Sequence, residues 1–187
     1  MDTLRRRERI GLYPMIEPYR TGMMDVGEGH QLYYEECGRP DGLPVIALHG
    51  GPGGGAAPSM RRFFNPDIYR IIIFDQRGCG RSIPFSSVTA NDTPRLVADM
   101  ETIRTALGVD RWVVFGGSWG ATLALAYARD GFPVVRVDVK ALAPSLRRGA
   151  TFLESILTLG LHDSGVSPKA IMPAFLASGV LLCDGLD

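Results

Sequence analysis

Ser118 lies in the run Gly116-Gly117-Ser118-Trp119-Gly120, which satisfies G-x-S-x-G. An apolar stretch, "RWVVF", precedes it, and the alanine-rich "ATLALAYA" follows. That context is a strand, a sharp turn and a helix, with the serine hydroxyl lifted above the end of a sheet. Glycines two before and two after the serine leave room for strand and helix to cross. The chemistry would be nucleophilic: the Ser118 oxygen attacks a carbonyl carbon. The N–H of Trp119, at the helix head, would face the oxygen that gains negative charge. The plainer alternative is a glycine-rich turn with an incidental serine.

A second donor for that oxygen should come from a loop after an earlier strand. "HGGPGGG", His49 to Gly55, follows the apolar run "PVIAL" in that position. Gly51 is the expected donor, since a residue without a side chain lets a carbonyl approach its N–H. His49 stands at the strand end, where it serves either as a base or, more commonly, to orient the loop by hydrogen bonding. The same glycines also fit a dinucleotide fingerprint, Gly51-x-Gly53-x-x-Ala56, with Asp75 as the ribose-binding acid. Pro58 and the lack of a helix start after them count against that reading.

These groups need a scaffold, and the patterning supplies one. "MMDVGEGHQLYYEECG" is two short runs around a Gly-rich turn, a hairpin signal. "PVIALHG" and "YRIIIFDQRG" are continuous apolar runs, as expected of strands buried on both faces. Between them lies loop with one helical turn. A helix follows, with Thr93 as its cap, Pro94 in the first position and Gly108 at the exit. Leu96, Met100, Ile103 and Leu107 repeat along it at helical spacing. Strands alternating with helices predict an α/β fold, a mainly parallel sheet with an initial antiparallel hairpin and helices on both faces.

With these residues in view, the chain resembles the proline iminopeptidase (prolyl aminopeptidase) family of α/β-hydrolases. The matching text is "LYPMIEPYRTGMMDVGEGHQLYYEECG", "LHGGPGGG", "FDQRGCGRS" and "FGGSWGATLALAYA", spanning roughly Leu12 to Ala128. The resemblance implies cleavage of an N-terminal proline from a peptide through an acyl-enzyme. It implies Ser118 as nucleophile, with the N–H groups of Gly51 and Trp119 as oxyanion donors. From Arg129 onward the text departs from the family. The segments expected for a helical cap, the last strands, the catalytic acid and the catalytic histidine have no match. A single, incomplete α/β-hydrolase domain over residues 1–187, the N-terminal portion of the fold, is therefore expected, with a family-like core at 12–128 and a divergent tail at 129–187. The tail reads as a truncated or frame-shifted product, or a splice variant. The acid and base are unassigned; His162 is the histidine that follows Ser118, and its setting "LGLHDSG" looks like a surface helix end.

The whole chain bounds the remaining classes. Lys plus Arg equals Asp plus Glu, 20 against 20 in 187 residues, so no net charge draws it to nucleic acid or an acidic membrane. No window is long and apolar enough to span a bilayer, and "LRRRERI" lacks the apolar stretch a signal peptide needs. Cys37, Cys79 and Cys183 show neither paired nor metal-type spacing, which points to free thiols in the cytoplasm. Neither metal nor organic cofactor is expected, and the resemblance implies a peptide with N-terminal proline as the partner. The competing class is a catalytically inactive fragment that self-associates, or joins a full-length relative, through an exposed sheet edge.

Overall fold

A computed structural model describes residues 12–132. The hairpin forms from β1 (Arg20–Asp25) and β2 (Gln31–Gly38), antiparallel with Asp25 opposite Gln31. Its turn is held by the Asp25 carboxylate, which accepts the Gly27 N–H at 2.8 Å. Next come β3 (Leu43–Leu48), a 3-10 turn at Pro58–Arg62, and β4 (Tyr69–Phe74). They are followed by α1 (Thr93–Ala106), β5 (Val113–Gly116) and α2 (Trp119–Arg129).

The five strands form one mixed sheet in the order β1-β2-β4-β3-β5. β2 runs antiparallel to β4, whereas β4 and β5 both flank β3 in parallel. The apolar runs that look continuous in sequence bury alternate residues on opposite faces. Ile46, Leu48, Ile72, Phe74 and Val114 face one cluster, and Val45, Ala47, Ile71, Ile73 and Val113 face the other.

The cover expected on both faces takes different forms on the two sides. Leu96, Met100 and Ile103 of α1 and Leu123 and Tyr127 of α2 pack together on the first face. The second face is covered by Met60 of the 3-10 turn with Phe63 and Phe64. Crossover handedness explains this: β4 lies on one side of β3 and β5 on the other, so right-handed connections fall on opposite faces. The connection from β3 to β4 carries only the 3-10 turn, because its glycines and Pro58 favour loop.

The α1 cap differs from the expectation. Asp92, not Thr93, is the N-cap, and its carboxylate accepts the Arg95 N–H at 3.1 Å. Proline fits either of the first two helical positions, so Pro94 did not decide between two good capping residues. Gly108 sits just past the helix with φ +64, as its expected exit role requires.

Polar residues of the hairpin are buried too. Glu35 receives two hydrogen bonds from Arg61, at 2.8 and 2.9 Å, and Glu36 accepts from Arg70 at 2.7 Å. Arg77, also buried, pairs with Asp99 of α1 and reaches back to Glu28 in the hairpin turn. These pairs tie the hairpin to the 3-10 turn through Arg61, to β4 through Arg70, and to the loop after β4 and α1 through Arg77.

Candidate active site

Because β3, β4 and β5 are parallel, their carboxyl ends and the loops after them lie at one end of the sheet. The strand order reverses at β3, and a crevice forms where connections leave in opposite directions. Ser118 stands at that position, exposed, between β5 and α2. Its backbone has φ 56° and ψ −125°, a region L-residues rarely occupy. Such strain persists only where the surroundings hold it.

The glycines supply that hold by admitting contacts no side chain would allow. A Cβ on Gly116 would enter the Gly120 carbonyl, and one on Gly120 would lie 2.9 Å from the His49 carbonyl oxygen. A Cβ on Gly50 would lie 2.8 Å from the Gly117 oxygen and 3.1 Å from the Ser118 Cβ. The glycine-rich loop after β3 therefore rests directly on the serine turn. Gly51, the next residue, is exposed with φ +54, and open space lies where its side chain would be. Trp119 is the first residue of α2, where an N–H has no acceptor within its own helix. The fold thus gathers the loop bearing Gly51, the Ser118 hydroxyl and the head of α2 at one crevice. His162 lies outside the described residues, as do Cys183 and the tail after residue 132.

His49 is placed as an orienting group. Its Nε2 accepts the Gln76 N–H at 3.0 Å, so the ring proton is on Nδ1, 3.2 Å from the Gly50 carbonyl oxygen. Burial holds its pKa below the ordinary histidine value, against the opposing pull of the Gly50 carbonyl and the Asp75 carboxylate. Both nitrogens are engaged within the loops. The other described histidine, His30, is buried with its Nε2 2.9 Å from the Thr89 carbonyl oxygen.

The nucleotide alternative loses its two supports. Asp75 is fully buried, and its carboxylate accepts the Ala56 N–H at 2.7 Å and the Arg81 N–H and Nε–H at 2.8 and 2.7 Å. Burial alone would raise its pKa, but the hydrogen bonds from Arg81 and Ala56 lower it below the ordinary carboxylate range. No α-helix begins after the glycines; a five-residue 3-10 turn does. Among the described residues, no cluster of His, Cys, Asp or Glu could hold a metal ion.

Gln76 is a site residue that the sequence reading overlooked. It follows Asp75 at the end of β4, and its side chain accepts the Trp119 indole N–H at 3.0 Å. The only signal for it was its place in "DQRG", next to a strand end facing the crevice. A cavity of about 370 Å³ opens beside it, bounded by Gly53, Val88, Leu96 and Trp119.

The fold has clear counterparts. A family model described as the alpha/beta hydrolase fold matches residues 44–143, and the chain belongs to that family. A proline iminopeptidase from Xylella fastidiosa is 61% identical over 118 residues, 63% of this chain and 38% of the relative. One from Arabidopsis thaliana is 57% identical over 119 residues, 64% of this chain and 31% of the relative. A probable proline iminopeptidase from Streptomyces coelicolor is 45% identical over 166 residues, 86% of this chain and 50% of the relative. That last alignment is longer than the 12–128 core and reaches into the tail. The chain spans between about a third and a half of the length of these curated relatives. Among solved structures, a proline iminopeptidase-related protein from Thermus thermophilus superposes with a TM-score of 0.54 at 34% identity. It covers 60% of this chain and 40% of that one.

Proposed function

We propose that the protein is a serine aminopeptidase that releases an N-terminal proline from peptides. The observation that carries the reading is the strained, exposed Ser118 with the Gly50–Gly51 loop packed against its turn. The names of the relatives support proline as the residue released.

In this reading the Ser118 oxygen bonds to the carbonyl carbon of the terminal proline. The Gly51 and Trp119 N–H groups stabilise the oxyanion. The C–N bond then breaks, and the proton from Ser118 passes by way of a general base to the leaving amine. Water hydrolyses the prolyl ester and restores the hydroxyl. The acid and base follow Ser118 in the chain order of this fold, and both are unassigned. The buried free thiols of Cys37 and Cys79 support a reducing compartment, the cytoplasm.

The test is chromophore release from a proline p-nitroanilide by the full chain, beside Ser118→Ala, with circular dichroism on both. Loss of turnover in the folded variant is the expected result, and His162 is then the first candidate base to replace. In serine proteases, binding and oxyanion stabilisation alone retain about 10³–10⁴ over water, so residual rates at that level do not count as triad activity. A folded parent no faster than Ser118→Ala overturns the reading.

A further inference from the structure

We propose that Gln76 is a positioning residue for the oxyanion site, holding the Gly51 loop and the head of α2 at a fixed separation. The inference rests on the reading of Ser118 as nucleophile.

Three hydrogen bonds carry it. The Gln76 backbone N–H donates to His49 Nε2 at 3.0 Å. Its side-chain Nε2 donates to the His49 carbonyl oxygen at 3.0 Å, and its Oε1 accepts the Trp119 indole N–H at 3.0 Å. A carbonyl only accepts and an indole only donates, so the amide has a single orientation. The His49 carbonyl belongs to the peptide unit that leads into Gly50 and Gly51. The indole belongs to the residue whose own N–H heads α2. One buried side chain, 2% exposed, therefore joins the two segments that bear the proposed donors.

This arrangement suits oxyanion stabilisation, which depends on donors already aimed before charge develops. A displacement of a few tenths of an ångström matters little to folding and much to such donors. The residue is neutral, so it adds no charge that would oppose a developing negative charge at the site. A carboxylate at the same position would oppose that charge and face the His49 carbonyl without a proton to share.

Gln76→Glu separates positioning from mere packing, because the protonated acid copies the amide. Its hydroxyl can donate to the His49 carbonyl while its carbonyl accepts the indole N–H. Burial places its titration above the ordinary glutamate value of about 4.3. The readout is the maximal rate of fluorophosphonate labelling at Ser118, variant over parent, across pH 5–8, with reagent concentration varied to separate it from binding. The ratio is expected to rise about tenfold as pH falls, below the roughly 10²–10³ cost of deleting a donor outright. Gln76→Leu should give a low ratio that is flat with pH. Should Gln76→Glu fail to fold, Trp119→Phe removes the indole N–H and keeps an aromatic ring, though a smaller one. It should slow the same maximal rate several-fold, with no further loss when combined with Gln76→Leu.

A pH-independent ratio in a labelled, folded variant, or additive losses in the double variant, overturns the inference and leaves the serine-hydrolase reading intact. A labelled parent that spares the proline anilide overturns the peptide reading alone. A folded parent that is not labelled overturns both.

Discussion

Gly116 and Gly120 touch backbone to backbone across the turn that carries Ser118. A methyl on Gly116 would be driven into the Gly120 carbonyl and would come within 2.7 Å of the Ala121 nitrogen. The contact closes the strand-to-helix crossing, and its partners are main-chain atoms that cannot rotate aside.

Gly116→Ala is therefore expected to lower stability by about 1–3 kcal/mol or more, the range for overpacked sites. Gly117→Ala is the matched control, since open space lies where its Cβ would go. Its cost should stay near the ±0.5 kcal/mol of an ordinary surface change. Urea unfolding of the two variants and the parent measures the difference. Equal costs would mean that the crossing relaxes freely.

Ser118→Gly should make the protein more stable while abolishing labelling. Its φ of 56° with ψ −125° is strained for serine, at about 1–3 kcal/mol, and open to glycine. The glycine gives back about 0.5–1 kcal/mol in chain entropy, so a net gain near 1 kcal/mol is expected. Ser118→Ala keeps the Cβ and should show no such gain. Thermal unfolding of the pair isolates the backbone term from the loss of the hydroxyl.

His49 should make stability fall on mild acidification. Burial depresses its folded pKa below the unfolded value of about 6.5, so between the two values the unfolded chain binds more protons. Its contribution is complete above about pH 6.5 and is lost as pH falls through the folded value. Protonating Nε2 also removes the acceptor for the Gln76 N–H. Urea midpoints between pH 7.5 and 5 should decline for the parent. His49→Gln, whose amide oxygen can accept the same N–H, should show a flatter profile. Parallel profiles would assign the decline to other groups.

The strands that carry the site were legible because their signal is local. "VIAL", "IIIF" and "VVF" are continuous apolar runs, and each is buried on both faces. The hairpin was legible from its glycine turn, and the Ser118 crossing from glycine spacing. Glu35 and Glu36 were not legible: as neighbours in β2 they face opposite sides of the sheet, yet both are buried against arginines. Arg61 is 26 positions from Glu35 and Arg70 is 34 from Glu36, beyond what any local pattern reports.

Within the described residues, the amino-acid sequence by itself determined which segments are strands and helices and where the serine crossing falls, and it carried the resemblance to a family of serine hydrolases. Periodicity and glycine placement act within a few residues, so they survive in the one-dimensional text. The tertiary structure alone decided the strand order, the opposite faces of the two crossovers, the engaged ring of His49 and the clamp at Gln76. Each depends on groups distant in sequence meeting at hydrogen-bond range: Gln76 meets His49 across 27 residues and Trp119 across 43. Such meetings arise only when β4 and β5 pack on either side of β3 and bring their loops to the same end of the sheet.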